Sequence, residues 1–292
     1  MFPTLNNPNP KVSIILPTFN GQQFIWQAIE SCLNQTYTNI ELIIVNDAST
    51  DKTQNIIDKY ASLDPRIRVV TNKVNRKLPA SLNIGHRVSV GEFITWTSDD
   101  NLYHEDAIAK MLHFLQQNIG IMMTYCDYTI IDSCGNQIKK VVVPSYENLS
   151  EYNCIGACFL YHRIVYQKIG SFFNRVRLAE DYDYWLRVAS NFRMMPIHND
   201  LYFYRTHENS LTSQEKNTLI SLAKEISLMR NLSGLKWLSK LEKGEKAIYF
   251  TQKAYNRRNY HRSAMYLFTA FRQSPALAMD WLRTTILRKF VA

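Results

Sequence analysis

The run "GEFITWTSDDN" closes an apolar segment with two adjacent aspartates, Asp99 and Asp100. Neighbouring carboxylates repel each other and are costly to bury as ions. A chain that writes them at the end of a strand either gives them a cation or leaves them in a solvated turn that caps the next helix. Spacing alone leaves both readings standing. Three further apolar runs end in the same way: "KVSIILPTFN" on Thr18 and Asn20, "ELIIVNDAS" on Asp47, and "RIRVVTN" on Asn72, with Asn75 close behind. Four such ends, all carrying side chains able to serve a sugar nucleotide or a metal, favour the cation.

Those four runs are separated by amphipathic stretches. "QQFIWQAIESCLNQ" sets Phe24, Ile25, Ala28, Ile29, Cys32 and Leu33 at helical spacing. "STDKTQNIIDKYASL" predicts a second helix with Ser49, Thr50 and Asp51 as candidate caps, and "PASLNIGHRVSV" a third with Pro79 near its first turn. Strand and helix in alternation predict a Rossmann-like α/β fold, a mostly parallel sheet covered on both faces. Ligands of such sheets bind outside the carboxyl ends of the strands. After Asp100 the pattern predicts a helix from about Tyr103 to Gln116, then two strands around a turn at Ser133 to Asn136. "RLAEDYDYWLRVAS" reads as a helix opened by Glu180, Asp181 and Asp183, with Tyr184, Trp185 and Val188 on its apolar face. One or two late strands, a polar loop carrying His207, and helical periodicity from about Gln214 to the end complete the chain.

At 292 residues, 46% of them hydrophobic, the chain can bury a large core. No run approaches the ~18 apolar residues of a membrane helix. "MFPTLNNPNP" has neither the basic start nor the apolar segment of a signal peptide, so residues 1–10 are expected to form a flexible tail on a protein that stays in the cytosol. The five cysteines are odd in number and widely spaced, and Cys154-x3-Cys158 lacks a second pair at zinc-ligand distance. They are expected to be reduced and mostly buried. The net charge of +9 is uneven: residues 1–200 carry 18 Lys/Arg against 19 Asp/Glu, and residues 201–292 carry 16 against 6. The last third therefore suits something anionic, or simply has a solubilising face.

Taken in order, "IILPTFNG", "VNDASTD", "LNIG" with "GEFITWTSDDN", "AEDYDYWLR" and "YRTHENS" resemble the inverting family 2 glycosyltransferases of GT-A fold, over about Lys11 to Ser210. The "SDDN" form is similar to the branch in which two consecutive aspartates replace D-x-D. The resemblance implies that Thr18, Asn20 and Asp47 line the nucleotide site. There an ionised Asp47 would accept the N3–H of uracil or thymine in a charge-assisted bond; the competing reading of Asp47 is a helix cap. It further implies that Asp99 approaches the nucleotide sugar and Asp100 holds Mn2+ or Mg2+. His207 matches a position that can add a ligand and would favour Mn2+. Asp181 matches the catalytic base of the "ED" pair, with Glu180 and Asp183 as rival carboxylates. Glu180, Trp185 and Arg205 would be acceptor-contacting or supporting residues, and Asp183 has a helix cap as its plainer role. Two departures stand out. Relatives often carry an Arg before the Asn of "LNIG" and an acidic residue at the Ser98 position, where this chain has Leu82 and Ser98. Arg76, Lys77 and Arg205 are the cations left to take up that diphosphate contact.

A GT-A catalytic domain is thus expected over 11–213 and a basic helical region over 214–292. Within the latter, "NRRNYHRSAMYLFTAFRQSP" has the spacing of one tetratricopeptide-like hairpin, or of ordinary helix packing. "WLRTTILRKFVA" sets Leu282, Ile286 and Phe290 on one stripe with Arg283, Arg288 and Lys289 interleaved, which suits a helix lying on anionic lipid or packed against its neighbours. The function expected is metal-dependent transfer of a sugar from a nucleotide-sugar, a UDP-sugar first, to a cell-surface glycan or lipid-linked acceptor on the inner face of the membrane. The rival is a non-catalytic sugar-nucleotide-binding or scaffold protein of the same fold. A sugar-1-phosphate nucleotidyltransferase is disfavoured by the lack of a glycine-rich phosphate loop near the N-terminus, and nucleic acid is the least favoured partner of the basic end.

Overall fold

The four runs that end in polar residues form β1 (Val12–Thr18), β2 (Ile40–Asn46), β3 (Ile67–Thr71) and β4 (Phe93–Trp96) in a computed structural model that describes residues 7–176, 178–208 and 217–291, the side chains of 286–291 excepted. They pair in parallel in the order β3-β2-β1-β4. The connections are α1 (Ile25–Leu33), α2 (Thr53–Leu63) and α3 (Leu78–Val88). Every residue of β1 and β2 is buried, as central strands covered on both faces must be, which is why they read as continuous apolar runs. Thr18 pairs with Asn46 and Asn46 with Thr71, so these strands stop level and deliver the residues beyond them to one edge.

β5 (Leu102–Tyr103) and α4 (Ala107–Gln117) follow. The helix expected from Tyr103 therefore starts later, because Leu102 and Tyr103 pair with the far end of the sheet. β6 (Ile121–Ile131) and β7 (Gln137–Val141) are the expected hairpin. A 3-10 turn (Tyr146–Ser150), β8 (Phe159–His162) and α5 (Arg163–Ile169) come next, then α6 (Glu180–Asn191) and one long irregular strand, β9 (Arg193–Arg205). The sheet continues β4-β8-β6-β9-β5, with β8 antiparallel to both of its neighbours.

α7 (Asn217–Asn231), α8 (Lys240–Asn256), α9 (Tyr260–Gln273) and α10 (Pro275–Val291) complete the chain. Ser239 and Glu242 form a capping box that starts α8. Gly244 lets α8 approach α10 closely, since a Cβ there would lie 2.6 Å from the Ser274 Cβ. Leu228, Leu232, Ala247, Tyr266 and Ala270 belong to the same buried cluster as Ile15, Tyr184 and Trp185. The C-terminal helices thus extend the core on one face of the sheet. The run Asn256 to Pro275 comprises the end of α8, a turn with Arg258 at φ 58°, α9 and the first residue of α10.

The flexible tail needs correction in part. Pro10 is buried, the Asn39 side chain donates to Asn9 O at 2.8 Å, and Tyr37 donates to Asn9 Oδ1 at 2.9 Å, so Asn9 and Pro10 are pinned. Residues 1–6 lie outside the described residues, as do the 213/214 boundary and the side chains of Ile286, Arg288, Lys289 and Phe290. All five cysteines are free, four of them buried and Cys134 exposed.

Candidate active site

The loops leaving β1, β2 and β3 are bound to one another. Asn20 N donates to Ser49 Oγ at 2.9 Å, and Thr50 N donates to Asn20 Oδ1 at 2.8 Å. Asn20 therefore knits two loops, while α2 begins at Thr53, whose N–H is taken by Asp51 at 2.9 Å. Asp47 does not cap that helix. Its Oδ1 accepts from Asn72 Nδ2 at 2.7 Å and Arg76 N at 2.8 Å, and its Oδ2 from Lys77 N at 2.7 Å. It folds the β3–α3 loop back over the strand ends and retains about one of a carboxylate's roughly four acceptor positions. Asn20, Ala48 and Lys77 adopt φ of 57°, 63° and 72°, a left-handed conformation that costs side-chain-bearing residues on the order of 1 kcal/mol or more each. Three strained residues on one edge mark where local preference yields to the site.

Thr18, at the end of β1, donates its hydroxyl to Asp99 Oδ2. Gly21 makes this approach feasible: a Cβ there would stand 2.2 Å from Asp99 Oδ2 and 2.7 Å from Thr18 Oγ1. Burial, and then the charge of Asp100, push the Asp99 carboxyl up to about 7. Burial raises Asp100 too, against the pull of His207, whose Nε2 lies 3.0 Å from Asp100 Oδ2. The second oxygen, Asp100 Oδ1, is buried without a hydrogen-bond partner.

Two repelling carboxylates, one with an orphaned oxygen, beside an imidazole, fit a divalent cation. Among the described residues no three His, Cys, Asp or Glu side chains close around one point. Such a partial set suits an ion held by one or two carboxylates plus substrate phosphates.

Arg205 is almost wholly buried and turned inward. Its Nε donates to Asp100 O at 2.9 Å, its Nη1 to Asp132 O and Ser133 O at 3.3 and 3.2 Å, and its Nη2 to Gln27 Oε1 at 2.7 Å. It braces the turn that carries the aspartate pair.

The first turn of α6 carries the other carboxylates. Asp181 Oδ2 accepts from Asn153 Nδ2 at 2.7 Å and Oδ1 from Tyr182 N at 2.7 Å. Burial raises its pKa, and these bonds, together with the charge of Lys224, oppose the rise. Burial and the neighbouring Asp181 push Glu180 up to about 7. Leu178, at φ 69°, turns the chain into the helix. Asp183 is fully buried and bound by Arg187 Nε at 3.0 Å, by Arg230, and by Asn231 Nδ2 at 3.0 Å. It ties α6 to α7, so it is neither a free base nor a cap; Ala179 occupies the cap position. Trp185, expected as an acceptor-contacting or supporting residue on the apolar face of α6, lies in the core. It is wholly buried, edge-on to Phe159 at 4.6 Å between ring centres, and has no surface to offer. Asn153, which positions Asp181, was not anticipated: nothing in "EYNCIGAC" marks it.

The profile of glycosyl transferase family 2 matches residues 13–170. An uncharacterized glycosyltransferase of Haemophilus influenzae is 40% identical over 132 residues, 45% of this chain and 52% of that protein. For one from Rickettsia typhi the identity is 31% over 225 residues, 73% of this chain and 70% of that protein. Among solved structures, S. aureus TarS 1–349 in complex with UDP-GlcNAc superposes with a TM-score of 0.71 at 14% identity, covering 89% of this chain and 81% of that one. The mannosyltransferase PcManGT from Pyrobaculum calidifontis, in complex with GDP-Man and Mn2+, gives 0.55 at 18% identity, with 97% and 81% covered.

Proposed function

The chain belongs to glycosyl transferase family 2 and is a glycosyltransferase of GT-A fold, and on that premise we propose that it is a metal-dependent inverting enzyme that moves a sugar from a UDP-sugar to a hydroxyl of a cell-surface glycan or lipid-linked acceptor. The observation that carries this reading is the orphaned Asp100 oxygen next to Asp99 and 3.0 Å from His207 across its other oxygen. Asp100 and His207 would hold Mn2+ or Mg2+, which when bound acts as a Lewis acid on the diphosphate leaving group. Thr18 and the loops tied by Asn20 and Asp47 enclose the nucleoside, and the remaining acceptor position of Asp47 suits an N–H edge of the base. Asp99, held by Thr18, faces the donor sugar.

Asp181 takes the proton of the acceptor hydroxyl as its oxygen bonds to the anomeric carbon. The bond from that carbon to the diphosphate breaks on the opposite side, and its electron pair leaves with the nucleotide. One displacement inverts the centre. A carboxylate held by neutral donors and raised by burial is a better base than one in water. The complexes of TarS with UDP-GlcNAc and of PcManGT with GDP-Man and Mn2+ support a nucleotide-sugar donor and a metal in this fold.

Calorimetric titration of UDP with Mn2+, with a chelator, and on Asp100→Ala tests the reading. Manganese-dependent binding that disappears in the variant is expected; UDP binding equally well in all three conditions would remove the metal from the scheme. If UDP fails in every condition, GDP and dTDP are titrated next, and no binding of any of them would leave the fold without a donor.

The excess charge beyond residue 200 supports a second element of the proposal, docking of the C-terminal helices on anionic lipid. No helix among the described residues is long and apolar enough to cross a membrane. Co-sedimentation with phosphatidylglycerol vesicles at low salt is expected, and protein that stays in the supernatant would end this idea.

A further inference from the structure

A hollow of about 760 Å3 is walled by Ser150 to Tyr152, by Tyr182 of α6 and by α7 and α8. Its volume is within the roughly 300–1,000 Å3 of small-molecule sites. Asp181 is not itself a lining residue but is tied to the wall on three counts. Tyr182, the next residue, lines the wall; Asn153, which holds Asp181 Oδ2, follows Tyr152 in the chain; and Lys224 on the α7 wall acts on Asp181 through its charge.

The lining chemistry narrows the occupant. Tyr152 and Tyr249 expose 50% and 62% of their surfaces, although large aromatic side chains are ordinarily withdrawn from water. Phe250 lies edge-on to Tyr249 at 5.0 Å. The charges balance: Lys224, Lys246 and Lys253 meet Glu151, Glu225 and Glu245. Two of the lysines are already engaged, Lys246 with Glu151 across the groove and Lys253 with buried Glu225 at 3.2 Å. A phosphate, nucleotide or lipid headgroup needs excess positive charge, which these walls do not offer. A neutral sugar needs aromatic faces for its C–H surface and a mixture of donors and acceptors for its hydroxyls, which they do.

We propose that this groove is the acceptor subsite, in which a neutral oligosaccharide lies along Tyr249 and Tyr152 and presents its terminal hydroxyl to Asp181. The proposal rests on the glycosyltransfer reading above and assigns the C-terminal helices a part in choosing the acceptor.

The test uses the full chain and saturation-transfer NMR with cellobiose, lactose, chitobiose and the corresponding methyl β-glycosides, alongside UDP titration with Mn2+. At least one disaccharide is expected to bind the wild type. Its affinity should fall about fivefold or more in Tyr249→Ala and Tyr152→Ala, the scale of losing one aromatic contact, and persist in Tyr249→Phe. UDP affinity should be the same in all of them. Sugar signals that are equal in wild type and both alanine variants overturn the groove, as does the absence of any sugar signal from protein that binds UDP. Failure of every nucleotide strikes the glycosyltransfer reading instead, and a sugar response lost in Tyr249→Ala would then still uphold the groove. Both tyrosines are largely exposed, so the variants should fold.

Discussion

The acids at the strand edge and the acids of α6 are held in different ways. At the edge Asp47 is bound by an amide and two backbone N–H groups, and Asp99 by a hydroxyl. These carboxylates shape loops and keep some acceptor capacity for a ligand. On α6, Asp181 and Asp183 lie two residues apart on one helix and diverge. Asp181 has an amide and a backbone N–H, whereas Asp183 has two guanidinium groups and an amide. Residue type is the same throughout; partners assign the task. A carboxylate locked to cations serves the fold, and one held by neutral donors in a half-buried place can still take a proton.

The sharpest way to break this contrast is Asp181→Asn. Transfer should fall about 10²–10⁴-fold, the usual share of a general base, with UDP affinity and melting temperature kept. Near-full activity in a UDP-release assay would move the base to Glu180. Asp183→Asn should do the opposite. It keeps the shape but leaves Arg187 and Arg230 without their anion, and should cost about 1–3 kcal/mol in urea unfolding, the lower end being set by the exposure of Arg230. Activity per folded molecule should hold, and a variant as stable as wild type would show that the α6–α7 tie is idle. The smallest effect is on the pH profile. Glu180, at about 7 in the folded chain against roughly 4.3 unfolded, binds more protons when folded. Its contribution is therefore complete below pH ~4 and is lost as pH rises toward 7. Glu180→Gln should flatten the fall in melting temperature across that window, and an unchanged slope would assign it elsewhere.

The parallel half of the fold was legible because each of its elements repeats a local period, and the polar strand ends are local too. β8 and α5 were not, since "FLYHRIVYQKI" is an unbroken mixed run whose antiparallel placement depends on β4 and β6, more than 30 residues away in the chain. Asp99 and Asp100 stand side by side, and His207 Nε2 reaches Asp100 from just beyond β9, the strand that pairs with β5. The sequence leaves Trp185 open between acceptor contact and support. A tryptophan four residues after the acidic pair suits either a sugar platform or a core, and only the positions of Phe159 and Tyr161 decide. Asn153 and the clamp on Asp183 are long-range pairings that leave no periodic trace.

The buried cluster shared by the sheet and the C-terminal helices bears on how enzymes of this shape could be recombined. A tail exchanged from a relative would bring its own counterparts of Leu228, Leu232 and Tyr266 against a face shaped for these ones, and would take Arg230 away from Asp183. A chimera that keeps α6 with α7 preserves the Arg230–Asp183 pair, and residues 153–159 must travel with them to keep Asn153 on Asp181 and Phe159 against Trp185.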